Sequence, residues 1–442
     1  MAARLVAILR DRSEAGLSRR FAVGAFAARV LNAGLGFVTQ VLLARWMGER
    51  DYGIYSTAWT WLLVAGGILS LGLPLAASKL VPEYRERDDG PGLRGFLTGS
   101  RRLGAMPSLL GALAAVAFLS TSPGLLGPYW PVAAITLLVL PAYVLMDIQT
   151  GIARACGFAV LGLAADYLVR PALLLALVVG LWAVGEPGTA ATVMVATGLA
   201  VLLTTAGQGI ALQRRLARMA PAGPSRTDLR RWATVSWPLL GEVGFMLLLG
   251  ATDILVMQLF VPPEEIAPYF AATKIVAIAS FVSYGVSSTS AHRFATQVSR
   301  GDRDGMARLA GETVRWTFWP TLAVAATLSA LAVPLLALFG PSFTAGAPIV
   351  AILAAGLVAG AVVGPADRAL AMADHGRAAA FVYACAFLAN LLLCLILTPV
   401  LGPVGAALGT SLAMAFKAAL LFVAAKRRLG IRMTVIPRWR PA

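Results

Sequence analysis

Charge is scarce in this chain. Only 13% of its 442 residues are Asp, Glu, Lys or Arg, against 59% hydrophobic ones, and the mean hydropathy is +0.78. Soluble domains carry about a quarter charged residues, so a soluble globular protein is excluded and a polytopic membrane protein is indicated. Cysteine is scarce too: Cys156, Cys385 and Cys394 are odd in number, lie in or beside apolar runs and lack metal-ligand spacing. That excludes a complete disulfide framework and leaves small buried hydrophobes. The two histidines, His292 and His375, fall at predicted span ends, where interfacial roles suffice. No Walker A lysine, HExxH, GxSxG or paired CxxC occurs, which removes ATP hydrolysis and the zinc and serine hydrolases. The expected external loops are only a few residues long, with no room for a catalytic domain. Movement of a solute, not enzymatic chemistry, is the expectation, with no cofactor.

What is present is length without charge. Twelve apolar segments, each able to cross about 30 Å of hydrocarbon, read as 21–46, 52–78, 103–121, 129–147, 158–183, 189–212, 231–260, 265–291, 313–338, 344–366, 378–398 and 403–425. The expected organisation is an all-α membrane bundle: an interfacial segment 1–20, a six-helix lobe 21–212, a basic linker 213–230, a second six-helix lobe 231–425 and a basic tail 426–442. Residues 1–20 hold five arginines but no long apolar core or cleavage site, so no cleaved signal peptide is read there.

The net charge of +16 would suit nucleic acid, but its distribution says otherwise. All but six of the 37 basic residues lie in alternate loops or the termini, whereas loops 119–128, 184–188, 261–264, 339–343 and 399–402 hold none. The positive-inside rule then places both termini in the cytoplasm and makes the span number even. A nucleic-acid partner is not expected.

The six exceptions are Arg29, Arg45, Arg50, Arg170, Lys274 and Lys417. Arg45 and Arg50 flank the first external turn beside Glu49 and Asp51, where local pairing and snorkelling explain them, and Lys417 is expected to snorkel as well. Arg170 follows Asp166 by four residues, the favourable acid-then-base spacing on one helix face. Arg29 and Lys274 remain. With 3.6 residues per turn, Arg29, Asn32, Gly36 and Gln40 fall on one narrow arc. An arginine in the bilayer core costs about 2.5–3.5 kcal/mol on insertion scales unless it faces protein or water, so this stripe is expected to line a cavity. Buried cations there favour an anion such as phosphate or pyrophosphate.

The halves resemble each other. A gapless slide of 214 residues sets Tyr55 over Tyr269, Lys79 over Arg293, Asp88 over Asp302 and Arg94 over Arg308. A slide of 213 sets Arg29 over Glu242 and Gln40 over Asp253, so one half offers a cation where the other offers two acids. Two parallel halves with a site between them is a known transporter plan. Glu242, Asp253 and Asp166 are candidate ion-coupling groups for Na+ or H+, and pairing with Arg29 or Arg170 is an equally good explanation for them.

Several stretches carry a family resemblance. In the first half they are GLGFVTQVLLARWMGERDYGIYS and LSLGLPLAASKLVPEY. In the second, AMADHGRAAAFVYACAFLANLLLCLILTPVLGPVGAALGTSLA presents Gly376, Arg377, Asn390, Pro399, Gly402, Gly405, Ala406 and Ala407 in order. The chain resembles the multidrug/oligosaccharidyl-lipid/polysaccharide exporter superfamily, in its bacterial polysaccharide flippase branch. The resemblance implies a V-shaped pair of six-helix lobes working by alternating access in the bacterial inner membrane. The implied cargo is a polyprenyl-pyrophosphate-linked oligosaccharide for O-antigen, capsule or exopolysaccharide. Arg29, Asn32, Gln40, Arg170 and Lys274, singled out above by charge and spacing, are the candidate residues to bind it. Membrane lipids, a polysaccharide polymerase and glycosyltransferases are the implied partners, and a monomer the expected state. Alternatives within the superfamily are a cation-coupled multidrug antiporter, favoured by Glu242 and Asp253, and a lipid II flippase. The latter usually carries an Arg–Asp pair where this chain reads Thr39–Gln40. The topology is directly testable: green fluorescent protein fused after residue 442 should fluoresce, and alkaline phosphatase fused there should be inactive.

Overall fold

A chain surrounded by hydrocarbon has no water to satisfy its backbone, and the helix is the open-chain conformation that bonds each N–H and C=O within one segment. The computed structural model describes residues 14–435 other than 122, 220, 222 and 374, and among them the regular structure is entirely helical. The order is α1 (Glu14–Leu69), α2 (Leu73–Glu86), α3 (Gly90–Thr121), α4 (Trp130–Ala155), α5 (Ala159–Ala183), α6 (Ala190–Met219), α7 (Leu229–Leu249), α8 (Thr252–Met257), α9 (Pro263–Arg300), α10 (Arg303–Ala330), α11 (Ala332–Ala337), α12 (Ala347–Ala361), α13 (Ala366–Met372) and α14 (Gly376–Arg428).

Among the described residues, nine runs are long and apolar enough to cross a membrane. The longest two are interrupted by glycine: Gly48 in α1 at φ 75°, ψ 177°, and Gly402 in α14 at φ 57°, ψ −138°. Both glycines fall in turns expected on the side without basic loops. Counting the limbs on either side of each, and adding α10, is consistent with the expected twelve spans. Around Gly402 the chain reverses. Thr410 Oγ1 reaches Asn390 Oδ1 at 3.3 Å, and Cys394 Sγ reaches the Ala406 carbonyl at 3.7 Å. Ala406, Ala407 and Ala413 are fully buried, the small residues that let membrane helices approach closely.

By contact density the chain divides into two units. The first holds residues up to Leu43 and Leu69–Trp237; the second holds Ala44–Ile68 and Pro238–Ala442. This division differs from the expected lobes in assigning 44–68 to the second unit and 213–237 to the first. Within that unit Tyr52 is fully buried, edge-on to Phe270 and Phe343 at 5.8 Å each.

In the first unit the basic linker is stitched to the first basic loop. Arg226 N donates to Pro91 O at 2.9 Å, the Arg226 guanidinium pairs with Asp89, and Arg94 Nε donates to Pro224 O at 2.8 Å. Arg231 pairs with Glu83 at 2.7 Å. Trp232 Nε1 donates to Tyr84 Oη at 3.1 Å while its ring meets Phe96 edge-on. In the second unit, the described start of the tail folds back: Ile431 and Met433 join the core of Phe294, Val314, Leu370 and Leu421.

Gly48 and Gly402 hold a positive φ that costs a residue with a Cβ roughly 1–3 kcal/mol. Gly48→Ala and Gly402→Ala should each lower the thermal unfolding midpoint in detergent, whereas Gly111→Ala, in open space inside a helix, should not.

Candidate functional site

The predicted span 231–260 is a broken helix. α7 stops at Leu249, Gly250 and Ala251 turn, and α8 restarts at Thr252. A break at this depth frees carbonyls that water cannot reach, and side chains take them up. Asn390 Nδ2 donates to Leu249 O at 3.2 Å, and Thr252 Oγ1 donates to Leu248 O. Asp253 sits in the first turn of α8, 5% exposed. Its Oδ1 accepts from Ile254 N at 2.9 Å and its Oδ2 from Tyr269 Oη at 2.6 Å. Asn390, fully buried, presents its Oδ1 to Thr410 and Cys394, at 3.3 Å each. Lys274, one turn beyond Tyr269 on α9, stands over the Phe270 ring at 3.9 Å and lies within electrostatic range of Asp253.

Four helical segments thus gather a carboxylate, a carboxamide, a phenol and a hydroxyl in a dry interior. A lone carboxylate there would be prohibitive; this one has two donors and a nearby cation. Oxygen groups of this kind suit a proton or a hard, small cation. Among the described residues no group of three or more His, Cys, Asp or Glu is placed to hold a metal ion.

In the first unit, Asp166 and Arg170 come together as their spacing predicts, with Nη2 to Oδ1 at 3.2 Å. Asp166 lies within a π-helical turn, Ala165–Val169, and Arg170 follows it; such a widening is frequently found at functional sites. Tyr143 and Asp147 lie within electrostatic range of Asp166. Asn32 and Gln40 are half-buried on one face of α1, whose backbone is helical through Arg29. The side chains of Arg29 and Glu242 lie outside the described residues.

Two of the exceptional cations take partners that their spacing does not name. Lys417, with Asp367, Tyr383, Ser283 and Ser287, lines a partly open cavity of about 190 Å³. There its Nζ lies 5.3 Å from the Tyr383 ring centre, and Tyr383 Oη donates to Asp367 Oδ2 at 3.1 Å. Arg45 donates to the carbonyls of Leu338 and Ala337 at the end of α11, while Arg50 faces Glu264 at 3.7 Å. Sequence reasoning also missed Tyr269, Asn390 and Thr410 as site residues. Tyr269 was visible as the repeat mate of Tyr55 and Asn390 as a motif residue, but Thr410 had no signal of its own.

With this geometry in hand, comparison with known proteins is informative. A family model described as "Polysaccharide biosynthesis protein" matches residues 24–291. Stage V sporulation protein B of Bacillus subtilis (strain 168) is 36% identical over 84 residues, 19% of this chain and 16% of that protein. The matched stretch is thus under a fifth of that relative's length. Among solved structures, the lipid II flippase MurJ in an inward closed conformation superposes with a TM-score of 0.72 at 16% identity, covering 91% of this chain and 87% of that one. An inward-facing multidrug resistance MATE family transporter of the MOP superfamily gives 0.71 at 15% identity, covering 90% and 94%. At these identities the structures establish the fold alone, an all-α bundle shared with these two proteins.

The polar cluster should behave as one energetic unit. Asn390→Ala and Tyr269→Phe each leave a buried polar group unpaired, which costs about 1–3 kcal/mol. Both should lower the unfolding midpoint in detergent. Tyr269→Phe combined with Asp253→Asn should cost less than the two single changes added together.

Proposed function

Because this chain belongs to the polysaccharide biosynthesis protein family of the multidrug/oligosaccharidyl-lipid/polysaccharide exporter superfamily, we propose that it is a flippase. Its cargo in this reading is a polyprenyl-pyrophosphate-linked oligosaccharide, turned over across the inner membrane for cell-surface polysaccharide. It performs no covalent chemistry on that cargo. Both termini lie in the cytoplasm, as the loop charges favour. The observation that carries the reading is the family match over residues 24–291, a range that includes the polar stripe of α1 and Lys274 of α9.

The chemistry assigned to the residues follows from charge. Arg29 and Lys274 supply positive charge to the pyrophosphate, the group on such a cargo with the largest cost of leaving water. Asn32 and Gln40, on the arc of Arg29, offer hydrogen bonds to phosphate or the first sugar, and Arg170, oriented by Asp166, adds a second cation in its unit. Asp253 is the coupling group. Loading its carboxylate with H+ or Na+ changes the charge in a region packed by the broken α7–α8 helix, so ion occupancy and helix position are linked. Glu242 and Asp166 are further coupling candidates.

A multidrug antiporter of the same superfamily is the second reading, favoured by the buried acid Asp253. The two separate in one strain set. In a strain lacking its own flippase of this class, the wild type should restore surface polysaccharide, and Arg29→Ala with Lys274→Ala should lower it by tenfold or more, with Arg29→Lys partly active. Unchanged polysaccharide with raised drug resistance, lost in Asp253→Asn, would favour the antiporter.

A further inference from the structure

Two cavities on the basic-loop face are alike in chemistry and in place. One, of about 560 Å³, lies in the second unit between the start and the end of α14. His375, Arg377, Arg427 and Arg428 line its polar part, and Phe381, Val382, Leu420 and Val423 its apolar part. The other, of about 550 Å³, lies in the first unit between the start of α5 and the end of α6. It is lined by Arg85, Arg215 and Arg218 with Phe158, Met219 and Cys156. Each thus sits between the fifth and sixth spans of its own half. The gapless slide of 213 residues that sets Gln40 over Asp253 also sets Arg214 and Arg215 over Arg427 and Arg428.

In neither cavity does a carboxylate line the wall among the described residues. The ion pairs found among those residues leave all these arginines out. Near the first-unit cavity, Arg101 holds Nε and Nη2 buried without a hydrogen-bond partner. Burial pushes the Cys156 thiol up to about 11 in spite of Arg85 and Arg101, so no thiolate neutralises the cluster. Both cavities also continue onto apolar surface: Phe381 is 69% exposed and Val160, two residues after Phe158, is 67% exposed. A head of positive charge above a greasy wall, at the end of a membrane helix, complements an anionic lipid and not a free, fully hydrated anion.

We propose that each unit carries, between its fifth and sixth spans on the basic-loop face, a pocket that holds one anionic phospholipid by its headgroup phosphate. The arginines receive the phosphate, and the aromatic and aliphatic walls receive the upper acyl chain. The bound lipid fills the mouth between two spans and supplies counter-charge to arginines that make no ion pair among the described residues.

The test uses the full chain, purified, delipidated and titrated with phosphatidylglycerol under native mass spectrometry, with phosphatidylcholine as the neutral comparison. The wild type should hold two phosphatidylglycerol molecules per chain ahead of any phosphatidylcholine. Arg427→Ala with Arg428→Ala should lose one, Arg215→Ala with Arg218→Ala the other, and all four both, each arginine weakening its pocket about fivefold. Arg427→Lys with Arg428→Lys, which keeps the charge, should retain binding and controls for misfolding. Arg300→Ala with Arg308→Ala removes the same charge outside the pockets and should leave both lipids bound. Equal retention of phosphatidylcholine, equal loss in the Arg300 and Arg308 variant, or complete displacement by millimolar phosphate or pyrophosphate would each overturn the proposal.

Discussion

The interaction on which the second unit turns is the capture of Asp253 by Tyr269 and the peptide N–H of Ile254. A carboxylate in a membrane interior must be satisfied by protein, and the means of doing so shape everything nearby. The helix is broken at Gly250, so that Asp253 opens a new first turn, where peptide N–H groups are unspent. The break in turn needs Asn390 to take up the Leu249 carbonyl. α14 then doubles back at Gly402, which brings Thr410 against the other end of the Asn390 carboxamide. Each feature is the answer to a polar group exposed by the one before.

The same accounting governs the basic residues. Arg45 and Arg94 spend their donors on backbone carbonyls at helix or loop ends, and Arg226 and Arg231 combine backbone or aromatic contacts with acids of the first basic loop. What reads in composition as surplus positive charge is therefore partly structural mortar. Around Pro224 and Arg226 the linker is fastened, because the Pro224 carbonyl accepts from Arg94, the Arg226 peptide N–H donates to Pro91 and the Arg226 guanidinium pairs with Asp89.

The class of protein was legible from composition and loop charge, since a bilayer imposes length and charge rules on every segment. The Asp166–Arg170 contact was legible because i, i+4 geometry is local. Asp253 stood out as an acid in an apolar run. Its partners did not, because Tyr269, Asn390 and Thr410 are brought to it by tertiary packing that no spacing encodes. The neighbours of Lys417, Asp367 with Tyr383, were hidden in the same way, because they lie far from it in the chain. The turns at Gly48 and Gly402 were legible, since they fall in the gaps between segments 21–46 and 52–78 and between 378–398 and 403–425.

The assignment of 44–68 to the second unit sets a schedule for biosynthesis. That segment leaves the ribosome before residues 69–237, yet the bulk of its unit is made after them. At synthesis rates of about 5–20 residues per second, the half-hairpin with Tyr52 waits in the membrane for about 10–40 s before Phe270 is made and about 14–55 s before Phe343 is made. Over that interval its aromatic face has only lipid, the insertion machinery or the growing first unit for company. The order of the genetic message and the order of assembly thus diverge in this protein, and its second unit is completed by a piece delivered in advance.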